Sequence, residues 1–168
     1  MSIHILIDKC LANGDLLVLR PSSPKTRVER IIYLSPPVMA FVQKDDLRSA
    51  GLLAELEAFV GGDVISVSMI PREAENAMMG LLAPTENGFF DYRSRAPRPG
   101  LRLIGGFARK DHFIGLGIFL RPKMVNEAEW RAAIRDCDLA WCALFNKRYP
   151  MMTGVNPSDY LSNNFCVD

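Results

Sequence analysis

Histidine is scarce in this chain of 168 residues, and His4 and His112 are the only two. A histidine-rich metal centre is thereby excluded, and a zinc site would have to draw on cysteines. The four cysteines, Cys10, Cys137, Cys142 and Cys166, form no C-x-x-C pair. They read as reduced thiols of a cytoplasmic protein, so neither a disulfide framework nor a metal is expected. No apolar run reaches about 18 residues, so no transmembrane helix and no membrane partner are expected. The opening residues MSIHILIDKC hold an acid and lack a small-residue cleavage site, unlike a signal peptide. Walker A, G-x-G-x-x-G, H-E-x-x-H and G-x-S-x-G runs are all missing, and with them the usual signatures of nucleotide loops, zinc proteases and serine hydrolases. No cofactor is expected.

Apolar residues make up 49% of the chain, enough for a sizeable core. The length suits one α+β domain over residues 1–168. Residues 1–35 read as an N-terminal hairpin and loop, because Ile3, Ile5 and Ile7 alternate and Asn13-Gly14 precedes Leu16–Leu19. Residues 40–146 read as sheet and helices. Val28 to Tyr33 suggests a short strand closed by Pro36-Pro37. Asp45 or Asp46 can cap a helix near 46–60, with Leu52, Leu53, Leu56, Phe59 and Val60 on one stripe and Gly61-Gly62 at its end. Ile65, Val67 and Met69 alternate as in a half-buried strand. Pro71 could open a helix near 71–80 that holds Ala74, Ala77 and Met78.

Phe89 to Arg95 reads as a strand. Leu101–Ala108 and Phe113–Leu120 read as a hairpin central to a largely antiparallel, twisted sheet. Asn126 and Glu129 have capping-box spacing ahead of a helix over 126–146, whose stripe is Trp130, Ile134, Cys137, Trp141, Leu144 and Phe145. That helix should lie across a face made by Ile114, Leu116, Ile118 and Leu120. Residues 147–168 read as a tail anchored by Tyr160, Leu161 and Phe165.

The near-neutral net charge of +1 hides an asymmetry. Residues 44–75 carry three basic and seven acidic side chains. Residues 91–123 carry eight basic ones, Arg93, Arg95, Arg98, Arg102, Arg109, Lys110, Arg121 and Lys123, against Asp91 and Asp111. Three consecutive strands would gather this set in a small area, a footprint that attracts phosphates. Arginines on the solvated face of a sheet would look the same in sequence. His112 follows Arg109-Lys110-Asp111 at the expected hairpin tip, where neighbouring cations would keep its imidazole neutral.

The segment Gly88-Phe89-Phe90-Asp91-Tyr92-Arg93, followed by an Arg102-bearing strand and a strand running from Phe119 to Lys123, resembles the RelE/HigB-type superfamily of small toxins, the addiction-module ribonucleases. The resemblance spans about residues 40–145. It implies metal-independent RNA cleavage, in which a 2′-OH attacks the neighbouring phosphodiester. Arg93, Arg102 and Arg121 would then stabilise charge on the phosphoryl oxygens, with His112 or Lys123 transferring the proton. Tyr92, Arg109, Lys110 and Arg121 would hold the RNA. Two other classes stay open: a non-enzymatic interaction module that binds a protein partner or forms a homo-oligomer, and a small-molecule enzyme with a cleft beside the strands bearing Gly105, Gly106, Gly115 and Gly117.

Overall fold

Two apolar strands of nine residues each dictate the centre of the molecule. The computed structural model describes residues 2–73, 76–124, 126–146 and 152–168. In chain order its helices are α1 (Ile3–Asn13), α2 (Pro36–Val42), α3 (Leu47–Gly61) and α4 (Glu127–Phe145). The strands are β1 (Leu17–Val18), β2 (Ile31–Leu34), β3 (Ile65–Ser68), β4 (Met79–Leu81), β5 (Phe89–Ser94), β6 (Leu101–Arg109), β7 (His112–Leu120) and β8 (Phe165–Val167). They form one sheet in the order β1-β2-β7-β6-β5-β4-β3-β8, so the β6–β7 hairpin is central. The fold is α+β.

The expectation of a largely antiparallel sheet holds for the inner run β7-β6-β5-β4 and for β1–β2. β2–β7, β3–β4 and β3–β8 are parallel instead. Long stretches of chain lie between β2 and β7 and between β3 and β8, and the ten residues 69–78 join β3 to β4, where an antiparallel neighbour would need only a short turn.

α3 and α4 form where the apolar stripes and caps place them. Asp46 accepts the backbone N–H of Arg48 and Ser49, and Gly62 closes α3 in the left-handed conformation. Asn126 and Glu129 make a complete capping box on α4. Three other expectations are corrected. Residues 3–13 are helical, because Ile3, Leu6, Ile7, Cys10 and Leu11 also recur at helical spacing and that face is the one buried. Gly14, at φ +78°, caps this helix rather than turning a hairpin. Pro36-Pro37 opens α2 instead of merely closing a strand, since a first helical turn has no use for the missing N–H groups. No helix forms near 71–80 among the described residues. Arg72 stands at φ +74°, which breaks helical geometry, and Met79–Leu81 pairs with β5 as β4. Ala74 and Glu75 of that expected helix lie outside the described residues.

Each face of the sheet carries two helices. Leu52, Leu56 and Phe59 of α3 and Val38, Met39 and Val42 of α2 pack over Ile32, Leu34, Phe90, Tyr92, Leu103 and Phe113. Ile7 and Cys10 of α1 and Ile134, Cys137, Trp141 and Phe145 of α4 pack over Tyr33, Phe89, Ile104, Ile114 and Leu116. Trp141 is buried and Trp130 half-buried, as a helix lying on the sheet requires. The anticipated face of β7 divides, however. A bulge makes Leu116 the extra residue between the Ile104–Gly117 and Gly105–Gly115 pairs, which reverses the alternation. Ile114 and Leu116 therefore face α4, while Ile118 and Leu120 pack on the opposite core.

The expected tail is integral to the fold. β8 extends the sheet beyond β3, and Tyr160 and Leu161 are buried. Arg30, itself fully buried, ties this segment down by donating to the carbonyls of Asn163 (2.9 Å) and Asn164 (3.0 Å), and also to those of Phe59 and Asp63. Among the described residues no helix is long and apolar enough to cross a membrane.

Candidate functional site

On a strand, residues two apart share a face. Asp91 and Arg93 of β5 therefore point the same way, toward the α4 side, because Phe90 and Tyr92 fill the opposite core. In the antiparallel registers Arg93 lies opposite Arg102, and Arg102 lies opposite Phe119. Two arginines directly opposed on neighbouring strands repel each other unless something intervenes. Here Asp91 does. Arg93 grips it with two bonds, Nε to Oδ2 at 3.0 Å and Nη2 to Oδ1 at 3.2 Å, and Arg102 Nη1 reaches Oδ2 at 2.9 Å. The carboxylate side chain is 1% exposed and the two guanidiniums are 13% and 11% exposed.

Gly80 on β4 leaves the space this network needs. A Cβ there would stand 2.6 Å from Arg93 Nη2 and 2.9 Å from Asp91 Oδ1. The carbonyl of Ala77 accepts from Arg93 (3.5 Å) and from Arg95 (3.1 Å), fixing two more orientations.

In front of this network opens a cleft of about 850 Å³. Arg93, Arg95, Arg98, Arg102 and Arg121 line it together with Asn76 and Ser94. The turn from Arg95 to Gly100 brings Arg98. The backbone N–H of Arg121 donates to the Gly100 carbonyl at 3.0 Å, which brings the start of the following turn alongside. Five arginines thus line one cleft, and two of them are bonded to the buried Asp91 carboxylate. Burial lowers the Arg102 pKa to about 10, and Arg93, Arg121 and Arg95 push the same way while Asp91 opposes. Arg102 stays charged at neutral pH, in a field that favours an incoming anion.

Lys123 stands beside the cleft, in an adjoining groove of about 460 Å³ that shares Met124 with it. The remaining sequence-derived candidates are elsewhere. Arg109 and Lys110 are exposed at the hairpin turn. Arg109 lies seven positions along β6 from Arg102, about 23 Å at about 3.3 Å per residue. The basic set is therefore two groups and not one face. His112 lies at that far end and is buried, not an exposed turn residue. Its Nδ1 is 3.0 Å from the Tyr33 hydroxyl and the two rings stack. Its pKa is lowered to about 4, by burial first and by Arg109 second. Tyr92 is fully buried, with its hydroxyl donating to the Glu55 carbonyl at 2.9 Å, so it presents no ring to a base.

Sequence reasoning passed over Asp91 as a site residue, and Gly80, Asn76 and Ser94 altogether. The two-residue spacing of Asp91 and Arg93 was an available signal for the ion pair. Nothing local announces Gly80, which matters only through its pairing with Asp91. All four cysteines are free, and burial pushes the Cys137 thiol up to about 12. Among the described residues no three His, Cys, Asp or Glu side chains converge as they would around a metal. No protein-family model, curated protein or solved structure matches this chain.

Proposed function

We propose that the protein binds single-stranded RNA through the arginine cleft. The observation that carries this reading is the convergence of Arg93, Arg95, Arg98, Arg102 and Arg121 on one cavity, with the Asp91 carboxylate bonded to two of them. Guanidiniums offer planar, bidentate donors to phosphate oxygens. Asp91 holds two of them in place before a ligand arrives, which lowers the ordering cost of binding. Exposed Arg98 and Arg121 have no ion-pair partner among the described residues and supply the surplus charge.

Of the toxin-like reading we retain the RNA ligand and the phosphate-holding roles of Arg93, Arg102 and Arg121. His112 has no place in it, since it is neutral, buried and at the other end of the hairpin. Of the two proton-transfer candidates of that reading, Lys123 is the one that stands beside the cleft.

The test is binding of a fluorescent single-stranded oligoribonucleotide across a salt series. Arg93 and Arg102 less Asp91 leave one positive charge, and Arg98 and Arg121 add two, so about three phosphates are neutralised and log K against log salt should fall with a slope of about −2. No binding at about 50 mM salt with protein in the tens of micromolar would overturn the proposal.

A further inference from the structure

The arginine cleft adjoins the neighbouring groove. Met124 lines both, and Arg102 of the cleft is the cross-strand partner of Phe119 in the groove. The groove exists because β2 pairs with β7 only as far as Gly115 and then turns into α2 at Pro36. Beyond that point no described strand covers Leu116–Leu120 on that side. α2 supplies Phe41 to one wall and α4 supplies the other.

The two cavities differ sharply in character. Phe41, Leu101, Ile118, Phe119, Leu120 and Met124 give the groove an apolar lining with two aromatic rings. α4 adds Glu129, Ala132, Ala133 and Asp136, spaced as one helical face, so two carboxylates flank two small side chains. Lys123 also lines the groove, so two carboxylates stand against one ammonium there, whereas the cleft next door is lined by arginines, and a phosphate is favoured in the cleft. A base finds no aromatic ring in the arginine cleft and two in the groove.

We infer that this groove is the base subsite for the nucleotide whose phosphate occupies the arginine cleft, and that it selects guanine. The inference rests on the RNA reading of the cleft. A carboxylate is acceptor-only. Guanine alone presents two adjacent donors, N1–H and N2–H, on its Watson–Crick edge. Adenine and cytosine place an acceptor nitrogen beside their amino group, and uracil sets one N–H between two carbonyls. Asp136 is the reader, because Glu129 already accepts the Asn126 N–H in the capping box of α4.

Calorimetric titration of the full chain with guanosine 5′-monophosphate, adenosine 5′-monophosphate, ribose 5-phosphate and pyrophosphate tests this. The guanine nucleotide should bind about tenfold tighter than ribose 5-phosphate, within the range of one stacked base, and several-fold tighter than the adenine nucleotide. Asp136→Asn, at an exposed position, should equalise the two nucleotides. Phe119→Ala should bring guanine binding down to that of ribose 5-phosphate. Equal binding of guanine nucleotide and ribose 5-phosphate would overturn the base subsite while leaving the phosphate cleft standing. A base preference without guanine selectivity, unchanged by Asp136→Asn, would overturn the assignment of guanine. No binding of any of the four, pyrophosphate included, would defeat the RNA reading itself.

Discussion

The two ends of the β6–β7 hairpin carry similar residues in opposite circumstances. At the open end Arg102 meets Arg93, Arg95, Arg98 and Arg121 around a cavity, with Asp91 buried among them. At the turn end Arg109 and Lys110 project into solvent. The acid there, Asp111, does not pair with either of them. It accepts the backbone N–H of Ser162 at 2.9 Å and the Ser162 hydroxyl, so it anchors the C-terminal segment instead. The histidine at that end is stacked under Tyr33 and neutral. Basic residues become a site when strand registers oppose them and a shared carboxylate fixes them. Mere abundance at a turn leaves them as solvated charge.

The largest expected consequence of this difference is in stability. Asp91→Ala would strand two partly buried guanidiniums, which typically costs about 3–5 kcal/mol. Asp111→Asn keeps a side chain tolerant of its φ of +63° and disturbs only exposed hydrogen bonds, so about 1 kcal/mol or less is expected. Urea denaturation measures both. Equal losses would break the contrast between the ends.

Acidification from pH 7 toward pH 4 should act at the turn end through His112. His112 has a folded pKa of about 4, below its unfolded value of about 6.5. The unfolded chain therefore binds the proton first as pH falls. The contribution of His112 is fully present above about pH 6.5 and is lost on acidification toward pH 4, at no more than about 1.4 kcal/mol per pH unit. His112→Gln should flatten that window relative to the parent protein, read from urea midpoints between pH 7 and pH 4. Arg102, near 10, titrates far outside it. An unchanged pH profile in the variant would contradict the buried, neutral histidine.

A smaller effect sharpens the account of the open end. Gly80→Ala places a methyl group against Arg93 and Asp91. Overpacking of this kind costs about 1–3 kcal/mol, and RNA affinity should fall with it because the guanidiniums move. Loss of stability with unchanged RNA affinity would separate the ion-pair network from the binding site.

Much of the frame was legible in the residues. The caps of α3 and α4 and the spacing of their stripes located both helices, and alternation located β3 and the central hairpin. The N-terminal helix escaped because Ile3, Ile5 and Ile7 satisfy a period of two as readily as Leu6, Ile7, Cys10 and Leu11 satisfy a helical one. Pro36-Pro37 concealed α2, since proline interrupts most elements and yet opens helices. Leu116 could not be recognised as a bulge without its partner strand, so the division of β7 between two cores was hidden. At the site, Arg93, Arg102 and Arg121 were recognised as a group because strand order alone brings them near. Arg109, Lys110 and His112 were grouped with them because distance along the sequence does not reveal which end of a hairpin a residue occupies. Tyr92 depended on strand parity: its neighbours Asp91 and Arg93 face the cleft, which sends its own ring into the core.

The most direct test of the central claim is the salt dependence of single-stranded RNA binding in two double variants. Arg98→Ala with Arg121→Ala removes two cleft charges that have no ion-pair partner among the described residues, so the slope of log K against log salt should lose about 1.4 in magnitude, at about 0.7 per phosphate. Arg109→Ala with Lys110→Ala removes the same charge from the other end of the hairpin and should leave the slope unchanged. A turn variant that flattens the slope as much as the cleft variant does would contradict a binding site confined to the arginine cleft.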